Sequence, residues 1–158
     1  DVQALDSVKL VKSQGDFLNA TADVAATATV IDAAMAATPA SIYVMAGFVS
    51  SNAQGETALL GRNGSDYSAA IVAASLRASV CEIWTDVDGV YSADPRQVKQ
   101  AQLIDHLSYD EAMELSYFGA KVLHPKTIGP LARVQNGDVV RLDCTTSTLE
   151  LLVPADEP

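Results

Sequence analysis

The order strand, polar loop, helix, strand between residues 42 and 84 constrains this chain more than any other feature. Ile42-Tyr43-Val44-Met45-Ala46-Gly47-Phe48-Val49 is a short apolar run bounded by turn formers. Such a run reads as a strand buried on both faces. Residues 50–56 are polar, and Thr57-Ala58-Leu59-Leu60 reads as a short returning strand. Residues 65–78 have the pattern of an amphipathic helix, and residues 80–84 form the next apolar strand. Elements at this spacing are a βαβ signal, hence an α/β fold with a mainly parallel sheet covered by helices.

Flanking segments extend the pattern. Residues 19–37 are rich in alanine and lack Gly and Pro, with Pro39 beyond their end. They read as one helix, capped by Asn19 or Thr21, with Asp23 in its first turn and Val24, Ala28, Ile31 and Met35 on one face. Residues 1–18 are mixed and polar, with a turn at Gly15-Asp16. Residues 102–107 read as extended. Ser108-Tyr109-Asp110-Glu111 fits a capping box, and a further helix is expected over 124–134 with Pro125 near its start. Asn136-Gly137 is a turn, and 139–144 with 148–153 alternate as a hairpin.

A chain of 158 residues can bury a core as one domain. Its 20 acidic against 10 basic residues give a net charge of -10, which argues against binding nucleic acid or an anionic membrane through bulk charge. A local basic pocket for phosphate remains compatible. No apolar run approaches about 20 residues, so no membrane span is expected. Cys81 and Cys144 fit no zinc or redox spacing, and reduced thiols in a cytoplasmic protein are the expectation. No signal peptide is visible, and the first residue is Asp1 rather than Met, so a fragment or a processed chain is expected.

Two loops and a lysine carry the candidate chemistry. In Gly61-Arg62-Asn63-Gly64-Ser65-Asp66 the glycines let the chain turn tightly into a helix beginning near Ser65. Amides at a helix start form an anion site, and Arg62 can grip a carboxylate through two parallel hydrogen bonds. Taken alone, Ser65 also reads as an N-cap and Asp66 as a complement to the helix dipole. In Thr85-Asp86-Val87-Asp88-Gly89-Val90-Tyr91, with Asp94-Pro95-Arg96, carboxylates sit just past a strand end, where ligands bind in open α/β sheets. Tyr91 offers a flat face and Arg96 can reach phosphate. An Asp-Gly turn between short strands is the plainer reading of that stretch. A calcium loop fails, because its glycine comes too early and position twelve is Gln97. Lys121 follows Gly119-Ala120 and can neutralise a phosphate, although a lone lysine is more often a surface residue. His106 and His124 have no partner at metal-ligand spacing, and no metal site is expected.

In this order and at these separations, the three stretches resemble an aspartate kinase. Residues 61–69 resemble its substrate loop, residues 84–91 with 94–96 its nucleotide loop, and Phe118-Gly119-Ala120-Lys121-Val122-Leu123-His124-Pro125 its following lysine motif. Asn63, Tyr67 and Met113-Glu114-Leu115-Ser116-Tyr117 look closest to the kinase part of bifunctional aspartokinase–homoserine dehydrogenases. The likeness covers residues 1–134, read as the nucleotide-binding half of the catalytic domain. The Arg62 and Lys121 motifs favour aspartate kinase over glutamate or uridylate kinases of the same fold.

The resemblance implies an incomplete amino-acid-kinase fold, a three-layer αβα sandwich. It implies transfer of the ATP γ-phosphoryl group to the β-carboxylate of L-aspartate, with Mg²⁺ carried by the nucleotide. By the same resemblance Arg62 and Ser65 bind aspartate, and Asp66 organises the catalytic lysine. Thr85, Asp86 and Tyr91 contact the adenosine part of ATP, while Arg96 and Lys121 hold its phosphates.

The family's Lys-Phe-Gly-Gly-Thr-type motif, which supplies the catalytic lysine, does not occur here. The expectation is a chain that starts partway through the kinase domain and binds nucleotide with little or no activity alone. The alternative is a non-catalytic assembly module that self-associates through an exposed sheet edge, as a homo-oligomer. Residues 135–158 no longer follow the kinase; they are similar to the C-terminal β-segment of sugar-acid and dihydroxy-acid dehydratases, or form a generic hairpin. Cys144 alone cannot hold the iron–sulfur cluster of those dehydratases.

Overall fold

The computed structural model describes residues 1–84, 88–118, 124–132, 139–143 and 148–152. The chain divides into two units, Asp1–Arg77 and Ala78–Pro158.

In the first unit, β1 (Val2–Leu5) leads into the short helix α1 (Ser7–Leu10), then β2 (Ser13–Gln14) and β3 (Thr21–Ala22), which pair antiparallel. The mixed, polar look of residues 1–18 thus hides two strands and a helical turn. Helix α2 (Val24–Ala37) starts later than its alanine-rich composition suggests. Thr21 lies in β3, and Asp23 is the N-cap, its carboxylate accepting from the Ala26 amide at 2.9 Å. That bond satisfies a first-turn amide which has no carbonyl of its own. Ile31 and Thr27 are buried on the inner face of α2, with Val24, Ala28 and Met35 half-buried beside them.

Helix α2 is a crossover between two parallel strands. Strand β4 (Ile42–Met45) pairs in parallel with β1, Val2 opposite Ile42 and Leu5 opposite Met45. The apolar run expected as one strand over residues 42–49 is therefore split. Ala46-Gly47-Phe48 bends the chain, with Phe48 at φ 77°, and β5 (Val49–Ser51) follows. Nor is β4 covered on both faces, because Ile42 and Val44 are 56% and 55% exposed. Strand β6 (Thr57–Leu59) returns antiparallel to β5, as its sequence suggested. The turn between them is closed by Asn52, whose side-chain oxygen accepts from the Gln54 and Glu56 amides.

Helix α3 (Gly64–Leu76) packs on α2, and Ser75 Oγ donates to Val24 O across the contact. The core cluster is Val11, Leu60, Tyr67 and Ile71, with Ala22 and Met45 against it. Burying side chains of this size contributes about 1.5–3 kcal/mol each. Tyr67 keeps its hydroxyl satisfied by accepting from the Ala22 amide at 3.1 Å, which ties α3 to β3. Arg77 ends α3 in the left-handed region at φ 50°.

In the second unit, residues 80–84 form no strand; Val80 is 37% and Trp84 71% exposed. The strand expected over residues 80–84 is therefore not formed, and in the first unit β1 and β4 make the parallel strand pair. A short antiparallel ladder joins 90–92 to 102–104: Ser92 N donates to Gln102 O, Ile104 N to Val90 O, and Tyr91 faces Leu103. Strand β7 (His106–Ser108) leads into α4 (Tyr109–Phe118) through the expected capping box. Ser108 N donates to Glu111 Oε2 at 2.8 Å, and Glu111 N donates back to Ser108 Oγ at 3.2 Å. Helix α5 (Pro125–Leu131) packs on α4, and His124 caps it by accepting from Lys126 N at Nδ1. The expected hairpin forms as β8 (Val139–Asp143) and β9 (Thr148–Leu152), and β8 also pairs antiparallel with β7.

Candidate functional site

The glycine–arginine loop is built where β6 runs into α3. Leu60, fully buried, anchors the end of the strand. Gly61 then turns at φ 83°, Arg62 is exposed, and Asn63 takes a left-handed conformation at φ 52° as the N-cap of α3. The helix thus begins at Gly64, one residue before the expected start. Ser65 lies inside the first turn, so its reading as the N-cap is corrected: Asn63 holds that place and makes no side-chain capping bond. Tyr67 N donates to Asn63 O as the first bond of the helix. Helix geometry therefore leaves the amides of Gly64, Ser65 and Asp66 without an intrahelical acceptor. A donor cluster at the positive end of a 13-residue helix, beside an exposed guanidinium, is suited to a carboxylate or phosphate.

Asp66 is half-buried in that turn. Burial pushes its carboxyl up from the ordinary value, and a hydrogen bond from Ser65 opposes the shift. A carboxylate held in a partly dry place at a helix start can orient a neighbouring ammonium group.

Sequence reasoning missed Gly47 and Phe48 in this site. A Cβ on Gly47 would come within 2.9 Å of Ser65 Cα, and one on Gly64 within 2.5 Å of the Phe48 ring. Phe48 N donates to Ser68 Oγ at 2.9 Å, and the same hydroxyl donates to Gly64 O at 2.7 Å. The 47–48 bend is thus fixed onto the start of α3, with Phe48 42% exposed. Its only signal in the sequence is a glycine interrupting the apolar run. Asn19 was likewise missed as a site neighbour; it lies against Gly61.

In the second unit, Tyr91 is half-buried and its hydroxyl donates to Asp88 Oδ2 at 3.1 Å. Arg96 is exposed and forked onto Asp94, with Nε 3.0 Å from Oδ1 and Nη2 3.1 Å from Oδ2. The side-chain hydrogen bonds from Arg96, then its backbone amide, hold the Asp94 carboxyl down to about 2, and the same pairing raises Arg96. Thr85, Asp86 and Lys121 lie outside the described residues. Arg62, Ser65 and Asp66 are brought together at the α3 start, and Tyr91 and Arg96 share the 88–104 loop.

Between α4 and α5 lies an open cleft of about 530 Å³ lined by Met113, Ser116, Tyr117, His124, Pro125 and Lys126. Burial lowers the Lys126 pKa. Among the described residues no three His, Cys, Asp or Glu side chains group as metal ligands, and no helix is long and apolar enough to cross a membrane.

Residues 2–140 match the amino acid kinase family. The chain is 57% identical over 130 residues to the bifunctional aspartokinase/homoserine dehydrogenase of Haemophilus influenzae, a match covering 82% of this chain and 16% of that protein. It is 44% identical over 138 residues to the lysine-sensitive aspartokinase 3 of Escherichia coli, covering 84% of this chain and 30% of that one. Among solved structures, E. coli aspartokinase III in complex with aspartate and ADP superposes with a TM-score of 0.74 at 42% identity, over 84% of this chain and 30% of that chain. Clostridium acetobutylicum aspartate kinase gives 0.69 at 26% identity, over 98% of this chain and 34% of that one. The chain therefore spans from about a sixth to a third of the length of these relatives. Its mixed α/β fold is of the amino-acid-kinase type. The chain belongs to the amino acid kinase family.

Proposed function

We propose that this chain is the nucleotide-binding part of an aspartate kinase, a cytoplasmic enzyme that transfers the γ-phosphoryl group of ATP to the β-carboxylate of L-aspartate. The observation that carries the reading is the α3 start, where exposed Arg62 stands beside three amides that lack intrahelical acceptors. Arg62 and Ser65 bind the aspartate carboxylates there, and Asp66 organises the catalytic lysine. Thr85, Asp86 and Tyr91 hold the adenosine part of ATP. Arg96 and Lys121 hold its phosphates, and Mg²⁺, bound to the nucleotide, neutralises their charge. On this reading residues 1–134 are the nucleotide-binding half of the kinase domain and residues 135–158 a β-hairpin tail.

The chemistry asks little else of the protein. A carboxylate nucleophile with a pKa of about 4 is already ionised at neutral pH and needs no general base. Phosphoryl transfer rests on positioning and charge neutralisation. No Lys-Phe-Gly-Gly-Thr-type motif lies within these 158 residues. By themselves they therefore bind Mg·ADP but transfer phosphate slowly or not at all. Calorimetry with Mg·ADP on the chain tests this. Saturable heat and a raised melting temperature are expected; no heat at millimolar nucleotide would remove the reading. Formation of aspartyl hydroxamate by the chain alone at normal kinase rates would remove the claim of low activity.

A second reading is favoured by β1 and β4, which form a two-stranded sheet among the described residues, with Val2, Ile42 and Val44 exposed on it, and so offer a sheet edge to a second copy. Parallel strands are ordinarily covered on both faces. The chain would then be an assembly module that joins a second copy through this sheet. Size-exclusion chromatography across a hundredfold concentration range separates the two, since a monomer throughout excludes it.

A further inference from the structure

We infer that Asp94 is a positioning residue for Arg96, holding its guanidinium so that the outer edge meets a nucleotide phosphate; this rests on the nucleotide reading of the 88–104 loop.

The fork has the features of a built orientation device. Asp94 Oδ1 accepts from both the amide and Nε of Arg96, each at 3.0 Å. Oδ2 accepts from Arg96 Nη2 at 3.1 Å and from Gln97 Nε2 at 3.2 Å. The carbonyl of Asp94 takes the amides of Gln97 and Val98, each at 2.9 Å, so the acid is fixed at the head of its own turn. Pro95 restricts the backbone between acid and base. The Asp94 side chain is only 16% exposed, whereas that of Arg96 is 77% exposed. The acid is thus the anchored partner and the base the presented one.

An arginine carries five N–H donors, and this fork uses two of them. Three remain, and two of them, one on Nη1 and one on Nη2, form the end edge turned away from the carboxylate. That edge is complementary to two phosphate oxygens. The carboxylate's own charge is shared among four donors, which weakens its repulsion of an incoming anion. A freely rotating arginine would lose conformational freedom on binding; a forked one has already lost it.

The test is Mg·ADP affinity, measured by calorimetry on the full chain. Asp94→Asn removes the charge and one acceptor. Arg96→Lys keeps the charge but cannot form the fork. Each is expected to weaken binding about three- to tenfold, the cost of ordering one long side chain. Arg96→Ala is expected to weaken it about tenfold or more. Adding Asp94→Asn to Arg96→Ala should change nothing further, because the acid acts only through the arginine. If Asp94→Asn binds as tightly as the parent, or tighter, while Arg96→Ala binds weakly, the positioning role is wrong and the nucleotide reading stands. If Arg96→Ala binds normally, or the parent does not bind, the nucleotide reading falls and the inference falls with it.

Discussion

Asn19 and Gly61 meet so closely that the Asn19 side-chain oxygen occupies the space a Cβ on Gly61 would need. The contact joins the segment before α2 to the turn that presents Arg62. It is reinforced by backbone bonds from Ala20 N to Leu59 O and from Leu59 N to Phe17 O. The position of Arg62 is therefore set by two strand connections, and not by its own loop alone.

Replacing Gly61 with alanine strains the chain twice. The residue sits at φ 83°, which costs an L-residue about 1–2 kcal/mol, and the new methyl group must displace Asn19. We expect Gly61→Ala to lower stability in urea unfolding by at least that amount. Asn19→Ala in the same chain should recover the steric part and leave the backbone part.

Asp23→Ala should cost about 1 kcal/mol, because it removes the side chain that caps α2. Asp23→Asn retains an acceptor and should cost much less. Equal losses for both would show that the bond to Ala26 is not what holds the helix start.

Asp66→Asn should separate stability from activity. Burial raises the Asp66 pKa, so its ionised form is disfavoured in the folded chain, and folding is penalised at pH above that raised value. The neutral amide lifts the penalty, and thermal stability at pH 7 should hold or rise. Phosphoryl transfer in a complete kinase carrying the same change should fall sharply. Loss of stability at pH 7 with activity intact would reverse both assignments.

Carbon-13 NMR can follow the Asp94 carboxyl directly. Its titration midpoint should lie near 2 and return toward the ordinary value of 3.8 in Arg96→Ala. The sign follows from a depressed folded pKa: the stabilising contribution is complete above the unfolded value and is lost as pH falls through about 2. A midpoint already near 3.8 in the parent chain would mean the fork is not populated in solution.

Local signals carried much of this protein. The capping box at Ser108 and Glu111 was legible because its two bonds close within four residues. The pairing of β8 with β9 and the return of β6 onto β5 were legible because each joins short strands close together in the chain. The tight turn at Gly61 ahead of α3 was legible because a glycine marks the left-handed φ of 83°.

Sequence alone settled the mixed helix and strand character, the loops rich in binding groups and the kinase resemblance. Tertiary structure decided which strands pair: the parallel partner of β4 is β1, some 40 residues earlier. It also broke the 42–49 run at Gly47-Phe48, moved the α3 start to Gly64, and placed Asn19 against Gly61. Each depends on surfaces brought together from distant positions. Pattern along the chain records what a residue prefers, whereas packing records which of its possible neighbours is there.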